Sequence, residues 1–297
     1  MSSAKELKEN LEVVSAIRDI TSVYQEIASL RTRQLREGVA KTREFLAGVA
    51  EVYNHVKASY AAILQRQFRK GKADLRGSAP FKRNGKKVFV VLTANEHLYG
   101  NLILDIWRAF LVDLRREEAD AVIVGSVGKY FARNEKITAA ATFFPLDDDR
   151  PTAGQIKKII DFISQYEQIV VYYGEMVSIL MQIHAKADIS GGVTLGGEVG
   201  EAKSYLFEPS PEKILAFFET EIIAALFNQR IYEHQLARFA ARMVAMDQAT
   251  ENARETLSKL DKEFKSLRRG IANKKLLETF AGRQFWSRPV AAKEAEA

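Results

Sequence analysis

The stretch "AARMVAMDQATENA", Ala240 to Ala253, contains neither proline nor glycine, so nothing in it interrupts a helix. Met243 and Met246 stand three residues apart among alanines, with Arg242 beside them. A core helix would ordinarily use Leu at such positions, and a solvated helix needs no Met at all. The stretch belongs to a longer apolar row. That row runs through Ile214, Phe218, Ile222, Leu226, Tyr232, Leu236, Phe239, Met243, Met246, Ala253, Leu257, Leu260, Phe264, Leu267 and Ile271. "PSPEK" (Pro209 to Lys213) opens it, with Ser210 placed to cap, Pro211 at the first helical position and Glu212 in the first turn. A single narrow stripe sustained this far predicts a helix that buries itself against another long helix.

The opposite end of the chain supplies that partner. Leu7, Leu11, Val14, Ile17, Ile20, Tyr24, Ile27 and Leu30 form one row, which resumes at Leu35, Val39, Leu46, Val49, Tyr53, Val56, Tyr60 and Ile63. Only Gly38 and Gly48 weaken it. About sixty residues at 1.5 Å each make a rod on the order of 90 Å. Residues 1–67 and 210–284 are therefore expected to form a discontinuous antiparallel two-helix coiled coil.

The middle of the chain differs in kind. "KKVFVVLTA" (Lys86 to Ala94) and "ADAVIVGS" (Ala119 to Ser126) are continuous apolar runs of strand length, separated by a helix from about Asn101 to Glu118. "ITAAATFFPL" reads as a third strand, followed by a helix over about Ala153 to Tyr166 and one or two strands in "QIVVYYGEMVSILMQIHAKADIS". Strand and helix alternate, so residues 68–209 read as an inserted Rossmann-like α/β domain with a mostly parallel sheet. The basic segment Gln65 to Lys87 reads as an exposed linker into it, and Gly191 to Ser204 as a mobile loop. Residues 285–297, rich in Ala and Glu, read as a flexible tail.

Composition narrows the function. The 297 residues include no cysteine, which excludes disulfides, thiolate metal sites and a Cys nucleophile. A net charge of +6 favours an acidic partner surface but is too mild to indicate nucleic acid. No apolar run reaches the roughly 18 residues of a membrane span, and the first residues lack the apolar core of a signal peptide. The Gly191–Ser204 loop fails as a P-loop, because Glu201 and Ala202 separate Gly200 from Lys203. No GxGxxG follows the first strand, whose turn reads "TANEHLYGNL". None of His55, His97, His184 and His234 lies three or four residues from another, so no helical metal pair exists. Glu96 and His97 sit where α/β folds place chemistry but have no nucleophile beside them. "LDDDR" (Leu146 to Arg150) reads as a solvated turn ahead of a helix rather than a cation site, and Phe68 and Phe81 as part of a charged linker rather than a nucleic-acid module. No catalytic, cofactor or metal residues are assigned.

The motif in the C-terminal helix closely resembles the signature helix of the gamma subunit of F-type ATP synthases. Other segments follow in the same order. "ITSVYQEIASLRTR" keeps Ile20, Thr21, Ala28 and a basic residue at Arg31, and "VLTANEHLYGNL" keeps Leu98, Gly100 and Leu102 of the family's "TSDRGLCGGLN" turn. "IVGSVG" is similar to "IGSKG", and "SYLFEPSPEKIL" to "YLYEPDPxxLL". The resemblance spans about residues 5 to 283. It implies a non-catalytic central rotor shaft, with the coiled coil inside a ring of alpha and beta subunits and the α/β domain as a foot beside epsilon and the membrane c-ring. It further implies a peripheral protein on the cytoplasmic face of the bacterial inner membrane, without membrane insertion or nucleic acid. Arg242, Met246, Gln248, Asn252, Arg268 and Arg269 are then candidates for contact with the catalytic ring, and Tyr205, Phe207 and Glu208 for the foot. Arg269 replaces a family Gln, and Asp19, Ser22, Tyr24 and Glu26 replace residues that are usually Lys or Met. For Arg242, a solvated ion pair or one within the rod stands as the competing reading. Two other functions remain open on these residues: a coiled-coil adaptor outside a standard ATP synthase, and an α/β enzyme with a helical stalk that uses His97 and Glu96.

Overall fold

The computed structural model describes residues 4–69, 84–137, 141–190 and 211–286, apart from the side chains of 43, 50–69, 211–219 and 284–286. Residues 70–83 of the basic linker, the glycine loop with Tyr205, Phe207 and Glu208 beyond it, and nearly all of the tail lie outside the described residues, while the linker's expected ends belong to regular elements, residues 65–69 to a helix and Lys87 to a strand. Helix α1 covers Ala4–Arg69 and helix α5 covers Pro211–Trp286. Between them lie β1 (Lys87–Leu92), α2 (Leu102–Arg116), β2 (Asp120–Val124), α3 (Ser126–Asn134), β3 (Ala141–Phe144), α4 (Ala153–Ile163), β4 (Gln168–Met176) and β5 (Gln182–Asp188). The chain divides into two compact units, Met1–Gln25 with Met246–Ala297, and Glu26–Ala245.

In the first unit α1 and α5 pair antiparallel. The Gln25 amide donates to Asp247 Oδ1 at 2.8 Å, and the Thr250 hydroxyl meets Thr21 Oγ1 at 2.8 Å. The α5 side of the seam is Met246, Thr250, Ala253, Leu257, Leu260, Phe264 and Leu267, alternating steps of four and three, all buried or half-buried. That strict 3.5-residue period is what two wound helices require.

The α1 seam differs from the apolar row read in the sequence. Its buried and half-buried positions are Leu7, Leu11, Val14, Arg18, Thr21, Gln25, Ala28, Thr32, Leu35, Val39, Thr42, Leu46 and Val49, again in alternating fours and threes. Ile17, Ile20, Tyr24, Ile27 and Leu30 are 40–56% exposed. The reason is geometric. The apolar row advances by three, three, four, three, three, faster than any coiled-coil period, and so drifts round the helix away from the seam. Small and hydroxyl residues take the inner positions instead: Ala28 is fully buried, and buried Thr32 closes its hydroxyl onto the Ala28 carbonyl at 2.8 Å. On α5, Tyr232 also faces outward, with Ile231 and Glu233 buried on either side of it.

In the second unit the strands assemble in the order β3-β2-β1-β4-β5. The first four are parallel and β5 runs antiparallel to β4. Parallel strands are covered on both faces, hence their unbroken apolar runs. Val88, Val90 and Leu92 face Ile156, Ile159, Ile160 and Ile163 of α4, the Ile222–Ile231 stretch of α5, and Leu46 of α1. Phe89 and Val91 face Ile106, Trp107 and Phe110 of α2, and Ala237 and Ala241 of α5 join that second core. Helix α5 therefore contributes to both faces and crosses the carboxyl edge of the sheet between Ile231 and Ala237.

Helix α3, not foreseen in the sequence, closes tightly on the strands. Its N-cap Gly125 has φ +101°, and a Cβ on Gly128 would come within 2.7 Å of Ile123 Cγ2 and 2.8 Å of Thr93 Cγ2. Replacing a helical glycine by alanine ordinarily stabilises by about 1 kcal/mol. Here the added methyl overpacks the strand contact, so Gly128→Ala is expected to lose about 1–3 kcal/mol in urea unfolding. A gain in stability would contradict this packing.

Candidate functional site

An open parallel sheet binds ligands at the carboxyl ends of its strands, where the strand order reverses. In this sheet the reversal lies between β1 and β4. Thr93, just past β1, and Gly174 of β4 face each other there, two residues beyond the Val91–Tyr172 pair. His234 of α5 occupies the gap. Its Nδ1 accepts from the Gly174 amide at 3.0 Å, and its Nε2 lies 2.9 Å from the Thr93 carbonyl. An amide only donates and a carbonyl only accepts, which assigns the ring as the neutral Nε2–H tautomer. Burial, reinforced by the Arg238 charge and opposed by the bond to Thr93, pushes the His234 pKa down to about 3. Gly174 is needed for the approach, since a Cβ there would lie 3.2 Å from Ala237 Cβ and 3.4 Å from His234 Nδ1.

The remaining crevice, between Gly125, Asp148, Gln235 and Arg238, has about the room one water needs. A nucleotide has no place there.

Four polar side chains of α5, each four residues from the last, line this edge: Arg230, His234, Arg238 and Arg242. At that spacing they share one helix face. Arg230 donates to the Tyr173 hydroxyl at 2.9 Å and pairs with Glu233 at 2.5 Å. Arg238 Nη1 lies 2.6 Å from Asp148 Oδ1 as an ion pair, while its Nη2 donates to the Asp148 carbonyl at 2.8 Å. Gln235 donates to the same carbonyl at 3.0 Å. Arg242 Nη2 reaches Glu96 Oε2 at 2.6 Å and the His97 carbonyl at 3.3 Å. Three arginines thus meet three carboxylates, and the neutral His234 leaves the balance undisturbed.

Two turns are shaped to receive them. Asp148 Oδ2 also accepts the amides of Asn95 and Glu96, at 2.8 and 3.0 Å, which binds the β3–α4 turn to the β1–α2 turn. Leu98 at φ +75° and Gly100 at φ +56° bracket Tyr99. A left-handed leucine costs about 1–2 kcal/mol, and the kink it makes turns the Tyr99 ring inward beneath both guanidinium groups. Their carbons stand 5.4 Å (Arg238) and 4.4 Å (Arg242) from the ring centroid. Burial raises the Tyr99 pKa to about 12, against the pull of Arg238, so the phenol stays neutral.

Several expectations meet this geometry directly. "LDDDR" is not wholly solvated: Asp147 caps its own turn by accepting the amides of Asp149 and Arg150, while Asp148 turns inward to the buried ion pair. Glu96 is engaged by Arg242, and His97 is exposed and contributes its backbone. Among the described residues no group of three or more His, Asp and Glu could hold a metal. Of the ring-contact candidates, Arg242 has its guanidinium bound within the chain, and Met246 is buried in the seam. Gln248 and Asn252 are exposed and hydrogen-bonded to each other at 3.1 Å, and Arg268 and Arg269 are exposed. Sequence reading missed His234, Arg238, Tyr99, Asp148 and Gly174. The signal available was the period of four in Arg230, His234, Arg238 and Arg242, polar residues on a helix otherwise rich in Ala and Phe.

This is an α/β domain whose crevice at the carboxyl edge of the sheet is closed by a side chain of the chain's own last helix. A family model described as ATP synthase matches residues 3–284. The chain belongs to that family, and the relatives it matches are gamma chains. It is 25% identical to the ATP synthase gamma chain of Desulforamulus reducens, over 95% of this chain and 98% of that one. It is 24% identical to that of Coxiella burnetii, with the same coverage. Its fold is similar to a chain of the Euglena gracilis mitochondrial ATP synthase, with a TM-score of 0.52 at 16% identity, over 90% of this chain and 98% of that one. A chain of the Tetrahymena thermophila mitochondrial ATP synthase central stalk and c-ring gives a TM-score of 0.53 at 12% identity, over 77% and 99%.

The depressed His234 pKa sets a pH dependence. Between about pH 6.5 and 3 the unfolded chain holds a proton that the folded chain does not, so stability falls as pH drops through that window. His234 alone should remove about 2 kcal/mol between pH 7 and pH 5. Urea unfolding at both values should give a smaller difference for His234→Gln than for the native chain. Equal differences would contradict a buried neutral ring.

Proposed function

We propose that this chain is the non-catalytic central shaft of an F-type ATP synthase. In this reading, rotation of a membrane c-ring turns the α/β foot, and the helical pair carries that rotation into a ring of alpha and beta subunits, whose catalytic sites change state in sequence. What carries the reading is a single helix, α5, that is bonded at four positions to the strands and turns of the α/β domain and also supplies one helix of the coil. Family membership supports it, as does the filled crevice at the carboxyl edge of the sheet, where the enzyme reading would have put a substrate.

The outward surface fits enclosure by other chains. Isolated exposed apolar side chains are ordinary, but on α1 Val13, Ile17, Ile20 and Val23 share one exposed face in the first unit. Near the end of α5, Ile271, Leu276, Leu277 and Phe280 are 52–68% exposed. Nine Lys and Arg stand against four Asp and Glu from Arg254 to Arg283, which suits an acidic lining. In this account Gln248, Asn252, Arg268 and Arg269 meet the ring, and Tyr205, Phe207 and Glu208 meet epsilon and the c-ring. The assembly lies at the cytoplasmic face of a bacterial inner membrane. Among the described residues no helix is long and apolar enough to cross a membrane.

Co-expression with the alpha and beta subunits of the same organism tests this. A tagged chain is expected to co-purify with both in an ATP-hydrolysing complex, whereas a free dimer without them would favour an adaptor. Arg268→Ala with Arg269→Ala should lower the ATPase rate and its sensitivity to salt. Because both side chains are exposed, chain stability should change by less than about 0.5 kcal/mol.

A further inference from the structure

We propose that the row Arg230, His234, Arg238 and Arg242 is a rigid torque joint, through which the α/β domain and α5 turn as one body. This rests on the shaft reading. Apolar contact is non-directional and lets a smooth helix roll or slide. Where α5 passes the edge of the sheet it buries small Ala237 and Ala241 as well as the larger Ile231, Leu236 and Phe239. Bonds with fixed direction add to the resistance this packing gives to rotation about the helix axis, and the row supplies them.

The anchors are spread over separate elements. Arg230 and His234 hold β4, His234 also holds the residue after β1, Arg238 holds the β3–α4 turn, and Arg242 holds the β1–α2 turn. Asp148 ties the two turns together, so a twist of α5 cannot displace one without the other. Stacking of both guanidinium groups on Tyr99 removes the freedom an arginine otherwise keeps about its long stem. Arg238 and Arg242 are positioning residues: they touch no substrate and act by fixing the helix to the sheet.

The experiment uses the complete ATP synthase reconstituted in vesicles, reading ATP hydrolysis and ATP-driven proton uptake together. Asp148→Ala with Glu96→Ala removes two of the anionic anchors. Hydrolysis should stay near the native rate while protons moved per ATP fall several-fold, because the ring still turns α5 but the joint slips. A staple should reverse this. A Cβ on Gly174 would lie 3.2 Å from that of Ala237, 3.1 Å from Leu102 Cδ2 and 3.4 Å from His234 Nδ1, so a disulfide makes β4 and α5 part by about half an ångström and replaces the His234 bond with a covalent one. The chain has no other cysteine to mispair. In the double-alanine background, Gly174→Cys with Ala237→Cys should restore the native ratio when oxidised and lose it again on reduction.

A native ratio in the assembled double-alanine complex would overturn the joint. So would arrest of turnover by the oxidised but not the reduced staple in an otherwise native chain, since that would mean the junction must flex. If the double variant does not assemble, Glu96→Gln at the more exposed end carries the same comparison. Failure of the native chain to assemble with its partners would count instead against the shaft reading.

Discussion

Between Thr93 and Gly174 the ring of His234 stands where a further pair of strand bonds would otherwise have to form. Parallel strands leave amides and carbonyls at their carboxyl ends that must find partners when buried. In many α/β domains a bound ligand or a glycine-rich loop meets that need. Here a side chain from the last helix does, and the rest of the second unit is arranged round it. Gly174 lacks a side chain so that the imidazole can approach, Thr93 is held by its own bonds to β2 and α3, and α5 must cross the edge of the sheet at this height. With the imidazole in place, the edge of the sheet between β1 and β4 is closed by the chain itself.

The same crossing explains the charged residues beside it. An arginine buried alone would cost several kcal/mol, and removing one partner from a buried pair typically costs 3–5 kcal/mol. Arg238 is compensated by the carboxylate and the backbone carbonyl of Asp148, and Arg242 by Glu96, the His97 carbonyl and the aromatic face of Tyr99. The strained Leu98 is part of that cost, since the turn that strains it is the turn that delivers Tyr99. What looked in the motif like an isolated basic residue next to two methionines is the last rung of a four-rung row.

The parallel sheet and the two long helices were legible because their signals are local. Unbroken apolar runs such as Val88–Leu92 occur where both faces of a strand are covered, and a stripe without proline over dozens of residues leaves few choices. The α1 seam was harder. Following its apolar residues through Ile17, Ile20 and Tyr24 leads off the inner face, because the side that faces α5 there is built from Thr21, Gln25 and Ala28. Strict alternation of fours and threes, rather than apolarity, was the reliable guide. The junction was barely legible. Asp148 in a run of three acids and His234 in a helix gain their meaning only when segments from 52 to 141 residues apart are brought together.

The account stands on α5 being bonded into the sheet rather than resting against it. Hydrogen exchange at the Gly174 amide measures this most directly, because that proton's partner is the His234 ring. If the junction is rigid, the Gly174 amide exchanges as slowly as those of Val91 and Tyr172 in the sheet core, opening only when the domain unfolds. Exchange orders of magnitude faster than its neighbours, with the sheet otherwise protected, would contradict it.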